Sequence, residues 1–192
     1  DEYVHVRDVE GIVSLVQMGV LEIHGWGSRV KDIEKPDLVV IDLDPSPEVP
    51  WKRVVEAAFE VRGKLESLGF ESFVKTTGGK GLHVCVPLRP KADWDVVKPW
   101  TKELVDAIAK EHPGRYLTTA SKEKRKGRIF LDYLRNGRGA TAVLAYSTRA
   151  REGATVSTPI RWDELTSRLD PKAFTVPSVP RRIAKLKRDP WE

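Results

Sequence analysis

In the stretch Leu38-Val39-Val40-Ile41-Asp42-Leu43-Asp44-Pro45 an apolar run ends in two aspartates one residue apart. In a buried strand, side chains alternate between faces, so Asp42 and Asp44 share one face at the strand's end, where Pro45 stops it. Two carboxylates held side by side repel unless a cation lies between them, which makes the pair a divalent-metal candidate. A turn or helix-capping pair after a strand is the alternative that this spacing alone leaves open. Asp132 is the single acid in the strand-like run Arg128-Ile129-Phe130-Leu131-Asp132-Tyr133-Leu134 and is hard to explain as packing. A third carboxylate beside the other two would complete a two-metal cluster of the kind used in nucleotidyl transfer.

A second group lies in Lys75-Thr76-Thr77-Gly78-Gly79-Lys80-Gly81-Leu82-His83. Three glycines in four positions let the backbone approach a ligand and present N–H groups to an anion, while Thr77 adds a hydroxyl and Lys80 a charge. The spacing is not that of a Walker A loop, and a strand rather than a helix follows. A plain Gly-Gly hairpin turn accounts for the backbone, but it does not require Lys75, Thr77, Lys80 and His83 around it. His24 lies in Leu21-Glu22-Ile23-His24-Gly25-Trp26, which alternates like a short strand with Glu22, His24 and Trp26 on one face. A lone histidine on a strand is more often a hydrogen-bonded structural residue than a ligand.

The elements that must position these groups follow from periodicity. Asp8 can cap a helix through about Met18, with Ile12, Leu15 and Val16 at helical spacing and Gly19 as its stop. Pro50 precedes a helix over 51–68, with Val54, Ala58, Val61, Leu65 and Leu68 on one side and Gly69 at its end. Strands are expected at 70–75 and 81–87, so that strand, helix and strand read as a β-α-β step in a mixed sheet. Residues 93–111 form a third helix, with Val97, Leu104, Val105 and Ile108 inward and Pro99 near its start. His112 has no role beyond that helix's C-terminus. A short strand over 116–119 precedes the basic run. At the end of the chain, 160–165 reads as a strand leading into a short helix, 171–180 as a proline-punctuated connector, and Ser178 as the cap of a solvated basic helix over 179–186. The fold class is therefore α/β or α+β, with a mixed central sheet flanked by helices. Residues 1–170 form the core, and 171–192 the connector and terminal helix.

With 192 residues and 40% apolar content, the chain can bury one large core. Its single cysteine, Cys85, excludes an internal disulfide and a cysteine-based zinc site. No apolar run has the length of a membrane span and no signal peptide opens the chain, so a cytoplasmic, nucleoid-associated protein is expected. Net charge is +5, yet residues 114–151 carry ten Lys/Arg against Glu123 and Asp132, a local +8 that leaves −3 for the rest. Such a band suits a phosphate-rich partner, nucleotide or nucleic acid.

DLVVIDLDP, KTTGGKGLHV, RIFLDYLRN with GATAVLAYSTRAREGA, and TPIRWDEL together resemble the polymerase domain of bacterial and archaeal DNA ligase D, of the archaeo-eukaryotic primase superfamily. The match runs from about Leu15 to Leu165. The resemblance implies that Asp42, Asp44 and Asp132 bind two Mn²⁺ or Mg²⁺ ions. It places Thr77, Lys80 and His83 on the incoming nucleotide, with threonine where the family usually has serine. His24, Arg125 and Arg149 would contact the triphosphate. The implied partners are nucleoside triphosphates, DNA with a primer end, gap or double-strand break, and ligase and end-binding repair proteins, with no membrane. The implied activity is nucleotidyl transfer, preferring ribonucleotides. The family usually has roughly a hundred further residues ahead of this chain's start, supplying a base-stacking aromatic and the grip on a downstream 5′-phosphate, so an N-terminally shortened domain is expected.

Two other readings of the same residues stay open. A haloacid-dehalogenase-like phosphatase would use Asp42 as nucleophile and Asp44 as acid, although Pro45-Ser46 follows where Gly-Thr is usual and GGKGLH is left unexplained. A non-catalytic nucleic-acid-binding module would explain the basic band and place no demand on Asp42, Asp44 or Asp132.

Overall fold

The computed structural model describes residues 3–121 and 123–192; Asp1, Glu2 and Lys122, the last counted in the basic band, lie outside the described residues. Helix α1 (Val9–Gln17) is capped by Asp8, whose carboxylate accepts the Gly11 N–H at 3.0 Å. Its expected inward positions are open to solvent, since Ile12 and Val16 are exposed and no residue of the helix is buried. Strand β1 is only His24–Gly25, far shorter than the alternation over 21–26 suggests.

The chain then enters β2 (Leu38–Pro45), α2 (Trp51–Ser67), β3 (Phe73–Thr76), β4 (Leu82–Pro87) and α3 (Trp94–Glu111). The later elements are β5 (Tyr116–Leu117), β6 (Ile129–Asp132), β7 (Ala142–Val143), β8 (Pro159–Ile160) and α4 (Ser178–Ile183). Six strands form a mixed sheet in the order β5-β6-β2-β4-β3-β8, with β5 and β6 parallel and every other pair antiparallel. β4 lies between β2 and β3, so the expected β-α-β step is split by a third strand. β1 and β7 make a separate two-stranded sheet. The mixed sheet and long helices match the expected fold class.

Alternation along β2 sorts its two faces. Val39, Ile41 and Leu43 join one core with Val54, Ala58, Val61 and Leu65 of α2 and Leu104, Val105 and Ile108 of α3. Asp42 and Asp44 therefore look to the other side. Leu68, assigned to the apolar side of α2, is 51% exposed because the helix ends before it and Gly69 turns the chain away at φ +80°. Pro99 sits inside α3 at an exposed position, where water can take up the hydrogen bond that proline removes. β3 begins at Phe73 rather than Phe70, whose ring packs 5.0 Å from Trp100. After β8 the chain makes turns instead of the expected helix.

The C-terminal segment departs from a solvated tail. Ser178 lies within α4 and its hydroxyl accepts the Thr175 N–H, so it closes the preceding turn rather than capping the helix. Beyond α4, Trp191 donates its indole N–H to the Val74 carbonyl at 3.0 Å and Tyr146 donates to Asp189. No helix among the described residues is long and apolar enough to cross a membrane.

Where β6 stops pairing with β2, a side chain takes its place. Asn136, 1% exposed, accepts the Val40 N–H and donates to the Val40 carbonyl, both at 2.8 Å, and donates to Tyr133 O at 3.0 Å. Its amide thus continues the strand ladder two residues before Asp42. Asn136→Ala orphans both Val40 groups and is expected to lower stability by about 2–4 kcal/mol in urea unfolding; a loss below about 0.5 kcal/mol, typical of a surface change, would show that the ladder does not depend on it.

Candidate functional site

Strand register sets the core of the site. Lys75 of β3 pairs with His83 of β4, His83 with Asp42 of β2, and Asp42 with Asp132 of β6. Directly paired residues point to the same face, so these four form one row across the sheet, and Asp44 follows two residues along β2.

Each carboxylate is met by a cation. Arg125 donates to Asp44 at 2.7 Å, with its guanidinium 4.3 Å over the Phe130 ring. Arg135 reaches Asp42 at 3.3 Å and lies 3.4 Å from Asp132. Asp132 also accepts the Leu134 N–H at 2.8 Å. Burial alone would push Asp42 up, but His83, Arg135 and Lys75 outweigh it and hold the carboxyl below its ordinary range. Asp132 moves the other way, raised by burial and by the charge on Asp42. His83 lies 3.5 Å from Asp42, and burial and Lys75 push its pKa down against the pull of Asp42. Three hard oxygen donors suit Mg²⁺ or Mn²⁺. Among the described residues, however, no three His, Cys, Asp or Glu side chains stand grouped as a ready metal cage; an ion would have to take the places that Arg125 and Arg135 hold.

The glycine-rich turn forms the next wall. Gly78 adopts φ +67°, and a Cβ there would lie 2.6 Å from Arg149 Cγ; one at Gly81 would lie 2.5 Å from the Leu43 carbonyl. The close approaches these glycines permit are thus to Arg149 and to β2. The Thr77 hydroxyl donates to Gly81 O at 3.2 Å and accepts the Gly79 N–H at 3.3 Å, which fixes the turn. Lys80 is exposed at its tip.

The opposite wall comes from the small sheet and the loop after β7. His24 bonds Glu22 at 2.9 Å. The other oxygen of Glu22 accepts the Ala150 N–H and lies 3.1 Å from Arg149 Nε. Arg149 also donates to Thr77 O, tying the two walls together. The His24 bond, with Ala150 and Arg149 behind it, holds the Glu22 carboxyl down to about 2.

These walls enclose a cleft of about 230 Å³ lined by His24, Asp42, Asp44, Thr77, Lys80, His83 and Arg149, together with Arg135 and Arg151. Asp132 and Arg125 are not among its lining; they adjoin it through Arg135 and Asp44. Sequence reasoning missed Arg135 and Glu22. The available signals were the position of Arg135 three residues after Asp132 and the placement of Glu22 on the same face as His24. A cleft with carboxylates on its floor and cations on its walls can hold a polyanion together with divalent cations.

The model of the LigD primase-polymerase domain matches residues 1–191. The multifunctional non-homologous end joining protein LigD of Pseudomonas aeruginosa is 43% identical over 187 residues, covering 97% of this chain and 22% of that protein. The bifunctional LigD of Bacillus subtilis is 32% identical, over 96% of this chain and 30% of that protein. The chain therefore spans less than a third of these relatives. Among solved structures, the polymerase domain of Mycobacterium tuberculosis ligase D in complex with DNA superposes with a TM-score of 0.86 at 28% identity, over 94% of this chain and 65% of that one. The chain belongs to the LigD primase-polymerase domain family.

Proposed function

We propose that this chain is the nucleotidyl-transferring core of an end-joining repair polymerase, adding nucleotides, preferably ribonucleotides, to the primer end of DNA at a gap or double-strand break. The observation that carries this reading is the pairing of Asp42 with Asp132 on adjacent strands, with Asp44 on the same face, under walls bearing His24, Lys80 and Arg149. The names of its relatives, end-joining proteins and a polymerase domain bound to DNA, support DNA as the partner class; ligase and end-binding repair proteins are further partners in this reading.

When bound, two Mn²⁺ or Mg²⁺ ions would acidify the primer 3′-hydroxyl and stabilise the leaving pyrophosphate. Asp42, Asp44 and Asp132 are the groups to hold them. His24, Lys80 and Arg149 neutralise triphosphate charge and fix its orientation, and the Thr77 hydroxyl shapes the loop that carries Lys80. His83, 3.5 Å away on the paired strand, keeps the Asp42 carboxylate in place. Arg125 and Arg135 act as counterions to the carboxylates and turn to phosphate when a divalent cation replaces them. A phosphatase of the alternative kind would need its nucleophile strand in a parallel doubly wound sheet, whereas β2 has antiparallel neighbours on both sides.

Asp42→Ala and Asp132→Ala should each abolish ribonucleotide addition to gapped DNA with Mn²⁺ while leaving the circular-dichroism spectrum unchanged; full activity in either variant would sink the two-metal assignment and favour a non-catalytic binding module. Lys80→Ala should raise KM for the nucleotide about tenfold or more, as expected for one charge-assisted contact. Arg125→Ala should act in two directions. Freed of its partly exposed guanidinium, Asp44 should bind Mn²⁺ roughly two- to fivefold more tightly in electron paramagnetic resonance titrations without nucleotide, while nucleotide affinity falls; weaker Mn²⁺ binding would contradict the counterion role.

A further inference from the structure

Lys75 was grouped by sequence with the glycine-rich turn but has no part in the chemistry above. It is 2% exposed, at the end of the row that runs through His83 and Asp42 to Asp132. Its ammonium donates to the Val143 carbonyl at 2.9 Å and to the Ser157 hydroxyl at 2.7 Å. Ser157 in turn donates to Thr76 O, and its backbone N–H bonds Ser147 O.

Val143 is the cross-strand partner of His24. The sheet that carries His24 has two residues in each strand, and an isolated pair of that size is not stable on its own. Among the described residues, the bond from Lys75 to Val143 is the hydrogen bond that joins β1 or β7 directly to the six-stranded sheet. The two sheets supply the two sides of the cleft, with His24 on one and the carboxylates on the other. An ammonium is an expensive filler for this gap: burial pulls the Lys75 pKa down to about 8, and apolar residues of similar volume often serve stability as well or better. Packing alone does not account for it.

We propose that Lys75 is a positioning residue for triphosphate binding: pinned between Val143 and Ser157, its ammonium sets the small sheet at the height that aims His24 into the cleft. The proposal rests on the reading of the cleft as a triphosphate site. Lys75 adds to the positive field around Asp42, but its part in triphosphate binding runs through His24.

The test is a double-mutant cycle read by binding rather than turnover. Lys75→Met and His24→Ala, singly and together, are titrated with α,β-methylene-ATP and, separately, with Mn²⁺ alone. Lys75→Met is expected to weaken binding of the analogue about tenfold when His24 is present and less than about twofold when it is absent, with Mn²⁺ affinity within about twofold of wild type. Equal losses in both backgrounds, or a changed Mn²⁺ affinity, overturn the proposal. Should Lys75→Met fail to fold, Ser157→Ala takes its place in the cycle. It removes one of the two acceptors that fix the ammonium, so a loss of roughly threefold confined to the His24 background is expected, and wild-type affinity in that variant overturns the proposal. A wild-type protein that does not bind the analogue refutes the triphosphate reading itself, whereas binding with additive losses refutes only the role of Lys75.

Discussion

Asp42 and Asp132 stand opposite each other on hydrogen-bonded strands, and like charges at that separation repel. The fold can keep such a pair only by surrounding it with positive charge or by letting one member hold its proton. The first answer is present, since Arg135 lies against both carboxylates, and the two are pushed apart in acidity, Asp132 upward by burial and Asp42 downward by its cationic neighbours. His83 stands against Asp42 from the neighbouring strand. The strand order follows from the same requirement, because β2 must lie between β4 and β6 for His83 and Asp132 to flank Asp42.

Elements that announce themselves by local periodicity were legible in the sequence. β2, α2, β4 and α3 carry long apolar patterns bounded by proline or glycine, and the structure gives them nearly the expected limits. The shared face of Asp42 and Asp44 followed from the two-residue period of a strand. The small sheet was not legible. β1 is two residues long, and its partner β7 lies more than a hundred positions away, so no local signal marks where the pairing begins. α1 shows the opposite failure. Its helical spacing is real, but amphipathicity states which face is apolar and not how fully it is covered, and here Ile12 and Val16 stay exposed and Leu15 is only half-buried.

The individual site residues divide along the same line. Asp132 stood out because an acid in an apolar strand has no packing explanation, whereas Arg135 sits in a short 3-10 turn where no periodicity sets its direction. Thr77 was read as a ligand-facing hydroxyl, yet that hydroxyl is engaged with Gly81 and Gly79. The glycines, read as room for a ligand, first make room for Arg149 and for β2. In each case the residue type indicated a close contact, and only the tertiary structure could say with what.

The charge of the basic band narrows in a similar way. Arg115 is taken up by Glu56 and Glu60 beside α2, and Arg138 by Glu34, so part of the local +8 is structural. Arg125, Arg135, Arg149 and Arg151 gather at or beside the one cleft, where the first two serve the carboxylates and Arg149 is held by Glu22. A polyanion entering alone would meet Asp42, Asp44 and Glu22. A divalent cation entering alone would have to displace guanidinium groups that then have no anion to turn to. On the proposed reading, arrival of both would keep every charge paired: the cation would replace the guanidiniums on the carboxylates, and the phosphates would receive them. If the cleft is the metal and triphosphate site proposed above, electroneutrality in a half-buried cleft would favour joint binding of the two over either alone.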